Sequence, residues 1–145
     1  MHILTRIKFG LFKNTILNTG ARIKLKHFDV IDQTLNCVFE YHPNIRDIVK
    51  RTFYHYDGKK IFSIEEYNPK SGCGITTTYY QMDGKKIEYI NEYKGHRLIK
   101  QIKYYSDGKT IDYITDYHPE RGYKIKRICY HLDGQIKAID NYGNE

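Results

Sequence analysis

No acidic side chain occurs before Asp29, and that absence decides where the charge of this chain sits. Arg6, Lys8, Lys13, Arg22, Lys24 and Lys26 give residues 1–28 a charge of +6 out of a formal net +7, leaving 18 basic against 17 acidic side chains in residues 29–145. Basicity therefore points to an anionic partner only through this leader. Long apolar runs are missing as well. Before Gly20 no uninterrupted apolar stretch exceeds two residues, which predicts neither a cleavable signal peptide nor an integral membrane segment. Localisation stays open. Cysteine is scarce, and Cys37, Cys73 and Cys129 fall at non-equivalent places, an odd set that argues against a disulfide framework or a cysteine zinc site. Tryptophan is absent while tyrosine occurs 15 times, a bias that suits half-buried pleated strands over helices.

What is present is a repeat. Asp57-Gly58, Asp83-Gly84, Asp107-Gly108 and Asp133-Gly134 each follow a tyrosine three residues back, at spacings of 26, 24 and 26. A second phase runs through Glu40-Tyr41, Glu66-Tyr67, Glu92-Tyr93, Asp116-Tyr117 and a worn Asn141-Tyr142. Units of this period each make one supersecondary element and bury their apolar faces on their neighbours. The division read from this is a basic leader, residues 1–28, and a β-hairpin repeat domain, residues 29–145, of about four units. In the leader, Ile3, Leu4, Ile7, Leu11 and Phe12 share a helical face interrupted by Gly10. Ile23 and Leu25 alternate with Lys24 and Lys26 as a first strand does.

Each unit reads as strand, Pro/Gly loop, strand, tight turn. Asp-Gly between β-rich runs predicts a two-residue type I′ hairpin, with positive φ at both central residues. That register sets Tyr54 against Ile61, Tyr80 against Ile87 and Tyr104 against Ile111. It further sets Ile102 against Tyr113, Thr78 against Tyr89, Phe53 against Phe62, Tyr79 against Glu88 and Lys103 against Asp112, with Ile64, Ile90 and Ile114 beside Arg51, Thr77 and Gln101. Unit three lacks two loop residues, a loss that keeps every side chain on its face. The last lacks one near Gln135, which predicts a flipped face or a bulge. The fold class is all-β, an antiparallel hairpin meander in an extended, twisted or partly curled open sheet.

The run from Asp107 to Pro119, followed by Gly122, Tyr130 and Asp133-Gly134, resembles the Asp-Gly-Lys/Tyr-Ile tandem repeats of uncharacterised phytoplasma proteins, over residues 29–142. It is loosely similar to MORN-variant and YD-type β repeats. The resemblance implies a repeat architecture and carries no catalytic residue across. Ile31-Asp32 replaces the first Asp-Gly, and Gln135 replaces a lysine.

Candidate sites are weighed against structural roles. Asp57, Gly58, Asp83, Gly84, Asp107, Gly108, Asp133 and Gly134 read as turn residues, because each turn offers one carboxylate and Lys59, Lys85 and Lys109 oppose a cation. The seven histidines lack ligand spacing, and no cofactor or metal is implied. Glu65 and Glu66 point to opposite faces of a strand and cannot share a substrate atom. With no nucleophile motif or phosphate loop, the chain reads as a non-enzyme. Its candidate binding surface is Tyr67, Tyr93 and Tyr117 with Lys50, Lys100 and Lys126. The function expected is a module presenting a tyrosine-rich β surface to a protein partner or to itself. The alternative is a binder of nucleic acid or another anionic polymer through the leader and the lysine stripe.

Overall fold

A computed structural model describes residues 6–9, 12–18, 23–42, 44 and 47–143, with side chains from residue 24 onward. The strands are β1 (Arg6–Phe9), β2 (Phe12–Asn18), β3 (Ile23–Asp29), β4 (Leu35–Tyr41), β5 (Ile48–Tyr54) and β6 (Ile61–Tyr67). They continue as β7 (Gly74–Tyr80), β8 (Ile87–Lys94), β9 (Arg97–Tyr104), β10 (Ile111–Tyr117), β11 (Lys124–Tyr130) and β12 (Ile136–Asn141). They form one open antiparallel sheet in chain order, each strand bonded only to its sequence neighbours. Among the described residues there is no helix. The helical option for the leader fails where it is described. Ile7 lies in β1 and Phe12 in β2, and β2 pairs with β3 from Phe12–Asp29 to Asn18–Ile23, so the leader's backbone groups are satisfied by extending the sheet. Ile3, Leu4, Gly10 and Leu11 lie outside the described residues.

The Asp-Gly turns are not type I′. Gly58, Gly84 and Gly108 take φ of 64°, 69° and 71°, but among described non-glycine residues only Gln33 has a positive φ. The Gly58 N–H donates to the His55 carbonyl at 2.8 Å, so the turn is centred on Tyr56-Asp57, and His55 N–H to Lys60 O closes the loop at 2.8 Å. Asp57 Oδ1 accepts the Lys59 and Lys60 amides, each at 2.9 Å. Asp83 and Asp107 repeat this geometry. A carboxylate that receives two backbone donors has a reason to avoid the left-handed region, which falls to glycine alone.

The register is as expected at the mouth of each hairpin and slips one residue further in. Tyr54–Ile61, Tyr80–Ile87 and Tyr104–Ile111 pair as read from the sequence. Phe53 then meets Ser63 and not Phe62, Tyr79 meets Tyr89 and not Glu88, and Lys103 meets Tyr113 and not Asp112. Phe62, Glu88 and Asp112 are the extra residues of β-bulges. Beyond them Thr78 pairs with Ile90 and not Tyr89, and Ile102 with Ile114 and not Tyr113. Ile64, Ile90 and Ile114 thus stand opposite Thr52, Thr78 and Ile102, not Arg51, Thr77 and Gln101. The bulge sets each isoleucine against a β-branched partner, Thr52, Thr78 or Ile102, and not against Arg51, Thr77 or Gln101.

Length changes stay in the loops. Glu92–Lys100 occupies the row of Glu66–Thr76 and Asp116–Lys126, with the shorter connection made by a Lys94–Arg97 pair around Gly95 and His96. In the last unit His131 N–H reaches the Gln135 carbonyl at 2.8 Å, yet Tyr130 still pairs with Ile136 and Cys129 with Ala138. No face flips, and Lys137 is the same bulge that every unit carries. The opposite loops are capped by Asn68, whose Oδ1 accepts the Lys70 amide at 2.9 Å, or by histidine. His118 Nδ1 accepts the Glu120 and Arg121 amides at 3.2 Å, and His42 Nδ1 the Asn44 amide at 3.2 Å.

Pairing and alternation sort the side chains onto two faces. One, the isoleucine face, carries the row Ile64, Thr78, Ile90, Ile102, Ile114 and Ile128, flanked by the Tyr54–Ile61 type pairs on one side and a charged row on the other. The second carries Tyr67, Tyr93 and Tyr117, a polar middle row, and the aromatic stretch Phe53, Tyr79, Tyr89 and Tyr113. The sheet is a single layer. Val38 is the one buried apolar side chain among the described residues, and the other buried positions are Thr52, Ser63, Thr77, Thr115 and Glu40. The accessible surface is 9939 Å², whereas a compact chain of 17.3 kDa exposes about 7,800 Å².

Candidate functional site

Tyr67 and Tyr117 end β6 and β10, and Tyr93 stands one residue before the end of β8, all on one face and about 9.6 Å apart by twice the strand spacing. Local hydrogen bonds orient the rings. The Tyr67 hydroxyl donates to Glu65 Oε2 two residues back, and the Asn91 Nδ2 amide donates to the Tyr93 hydroxyl at 3.4 Å. Gln101 Nε2 donates to Asn91 Oδ1 at 3.1 Å, and the Tyr113 hydroxyl donates to Gln101 Oε1 at 3.4 Å, so the network crosses three strands. Burial first, then the hydrogen bond to Glu65 and its charge, push the Tyr67 phenol up to about 12.

Clefts open on either side of Tyr67. Between Tyr67 and Tyr93 lies one of about 200 Å³, walled by Glu65, Thr77 and His96, with Gly74 standing where a side chain would fill it. A second, of about 490 Å³, lies between Tyr41 and Tyr67 and is lined by Ile48, Arg51 and Lys70. Arg51 bridges the two aromatic groups, its guanidinium 5.4 Å from the Phe39 ring centre and 5.1 Å from that of Tyr67, and 3.7 Å from Glu65. Further along, Arg127 sits 4.4 Å over Tyr113 and donates Nε to Thr115 Oγ1 at 3.0 Å. The floor is polar, with the buried Arg51 Nε left without a hydrogen-bond partner, and the rims are aromatic.

The sequence pairing of tyrosines with Lys50, Lys100 and Lys126 is not brought together on one surface. Those lysines lie on the isoleucine face, opposite Glu40 and Glu66, Glu92 and Asp116, and Asp116 and Asn141 respectively. The signal was available, because a lysine that faces Glu66 alternates away from Tyr67. What composition could not flag is Arg51, Gly74 and the buried Thr77 and Thr115. The loop aspartates face solvent at the far end of the strands. Asp107 is held down to about 2 by the Thr110 hydroxyl and then the Lys109 and Thr110 amides, and Asp57 and Asp83 are lowered chiefly by amides of their own turns. A depressed folded value gives stability that is full above the ordinary carboxylate value of 3.8 and is lost as pH falls toward 2. Thermal unfolding is expected to drop between those limits, and Asp107→Asn, which keeps an acceptor oxygen but cannot titrate, to flatten the drop.

Among the described residues no three His, Cys, Asp or Glu side chains converge as metal ligands, and no helix is long and apolar enough to cross a membrane. No curated protein matches the chain. Among solved structures it is similar to S. aureus TarM: a mutant in complex with fondaparinux, alpha-GlcNAc-glycerol and UDP gives 9% identity and a TM-score of 0.42, and a crystal structure of TarM gives 10% and 0.41. Each likeness covers 85% of this chain but only 20% of the other, so the chain spans a fifth of those proteins' length. The family profile described as "Protein of unknown function (DUF2963)" matches four overlapping times, at residues 31–79, 54–103, 80–127 and 104–145. These matches follow the hairpin period, and the chain belongs to the DUF2963 family as a tandem repeat of its unit.

Proposed function

We propose that this repeat module is non-catalytic and presents its tyrosine ladder to a protein partner. The observation that carries the reading is the recurrence of Tyr67, Tyr93 and Tyr117 on every second strand of one face, with a cleft floored by Gly74 between the first two. Tyrosine gives contact area at little entropic cost, and rings already oriented by Glu65 and Asn91 lose less freedom on binding. Backbone groups at a sheet edge offer the same partner main-chain pairing. The phytoplasma-type resemblance names no activity and adds none.

The alternative, binding of nucleic acid or another anionic polymer, has less support, because the three stripe lysines each stand opposite a carboxylate. Affinity capture with the triple variant Tyr67→Ala/Tyr93→Ala/Tyr117→Ala is expected to lose the proteins recovered by the native chain. Capture with Lys50→Ala/Lys100→Ala/Lys126→Ala is expected to retain them. Equal recovery by the tyrosine variant rejects the reading, and salt-sensitive retention of a single-stranded oligonucleotide that the lysine variant loses favours the alternative.

A further inference from the structure

The isoleucine face lacks the second layer that a sheet ordinarily needs to bury apolar side chains. Ile64, Ile90, Ile102, Ile114 and Ile128 are only half-buried, although they stand mid-strand in the interior of the sheet. Beside them runs the charged row, and its order is informative. Glu40, Glu66, Glu92 and Asp116 lie on the even strands β4, β6, β8 and β10. Lys24, Lys50, Lys100 and Lys126 lie on the odd strands β3, β5, β9 and β11, with Thr76 on β7.

Within one chain Glu66 accepts the Thr76 hydroxyl at 3.0 Å, while two of the lysines are held at longer range. Lys24 Nζ is 3.5 Å from Glu40 and Lys100 Nζ 4.0 Å from Asp116, long contacts for groups with three donors each. A second copy could use them fully. A two-fold axis parallel to the strands lays each row on its own counterpart and reverses the strand order. Where the axis falls midway between two strands it exchanges odd for even, so the lysines of β5, β9 and β11 meet acids. Where it falls on a strand, lysine meets lysine. The twelve-strand sheet offers several positions of the first kind, and the one between β7 and β8 pairs β3–β12 among themselves. Lys100 then faces Glu66 of the second copy, Asp116 faces Lys50, and Lys126 faces Glu40, while in the middle row Ile64 meets Ile102, Ile114 meets Thr52, Ile90 meets Thr78 and Ile128 meets Val38.

We infer that the chain forms a two-fold dimer in which the isoleucine faces of two copies pack as a β-sandwich about this axis. The sizes agree. Ten strands by three rows measure about 45 by 20 Å, or about 900 Å² for each copy, against about 800 Å² for a partner in a stable interface. The surface in excess of a compact monomer is about 2,100 Å² per chain, enough to cover this face and leave the ladder face free. The dimer does not depend on the ladder having a partner.

Sedimentation equilibrium of the full chain tests it. The native chain is expected at twice its 17.3 kDa mass at micromolar concentration. Lys100→Glu alone and Glu66→Lys alone each set like charges across the axis twice and are expected to weaken association by at least roughly tenfold. An equimolar mixture of the two variants places opposite charges at both contacts and is expected to recover the native mass, whereas Tyr93→Ala leaves the mass unchanged. Far-UV circular dichroism checks that each variant is folded, and Lys100→Arg serves as the conservative control. A monomeric native chain at about 100 µM, about a hundredfold above the concentration a micromolar dimer needs, overturns the dimer. So does unchanged association of folded single variants, or a mixture that stays monomeric. Lost capture by the tyrosine triple variant with an intact dimer, or the reverse, separates the two surfaces.

Discussion

Gly108→Ala is expected to destabilise the sheet by about 3 kcal/mol, and Gly134→Ala, at the same place in its unit, by about 1 kcal/mol. Both glycines are left-handed, at φ 71° and 84°. A methyl on Gly108 would lie 2.6 Å from Lys86 Cβ, 2.9 Å from Lys86 Cα and 3.0 Å from the Ile87 nitrogen. Backbone atoms cannot swing aside, so the cost of crowding adds to that of the dihedral. Nothing lies within 4 Å of the same methyl on Gly134. Gly84 meets Lys60 and Ile61 in the same way, at 2.8 Å. Urea midpoints of the two variants measure the difference, and equal shifts would show that successive turns do not touch. The Asp-Gly step thus has two tasks, a left-handed residue and a seat against the preceding turn.

Ile114→Asp is expected to cost about 3–4 kcal/mol, whereas Ile139→Asp in the same row costs about 1 kcal/mol or less. Ile114 sits between Ile102 and Ile128, so a carboxylate there faces apolar side chains on both sides. Ile139 lies on the outermost strand with only Ile128 opposite and is already 49% exposed. In a single-layer sheet the interior is defined sideways, by how many strands flank a residue. Chemical unfolding of both variants at a concentration where the chain is monomeric checks this, and a comparable loss at Ile139 would mean that something other than flanking strands protects the row.

Much of the fold was legible because the repeat exposes its own errors. Four turns at one period located the hairpins, and Tyr54–Ile61 and its two equivalents identified the pairing at their mouths. The bulges were not legible. Phe62, Glu88 and Asp112 share neither size nor polarity, so no residue type marks the slip, and what the three bulges have in common is a β-branched partner for the isoleucine beyond them. The turn type was misjudged for a similar reason. Asp-Gly suits two geometries, and the amides of Lys59 and Lys60 choose between them through the Asp57 side chain. For the candidate surface, composition brought tyrosine and lysine together while parity along the strand separates them.

Every strand bonds only to the strand before and the strand after it, from β1 through β12. All-β chains usually fold slowly, because strands distant in sequence must find each other across long loops. Here no pairing spans more than one connection, so the entropy of closing a loop is the same small term at each step. Formation can begin at any hairpin and spread outward in both directions, as in other linear repeats. Such a sheet can gain or lose a whole unit between generations without asking any remaining strand to change partners.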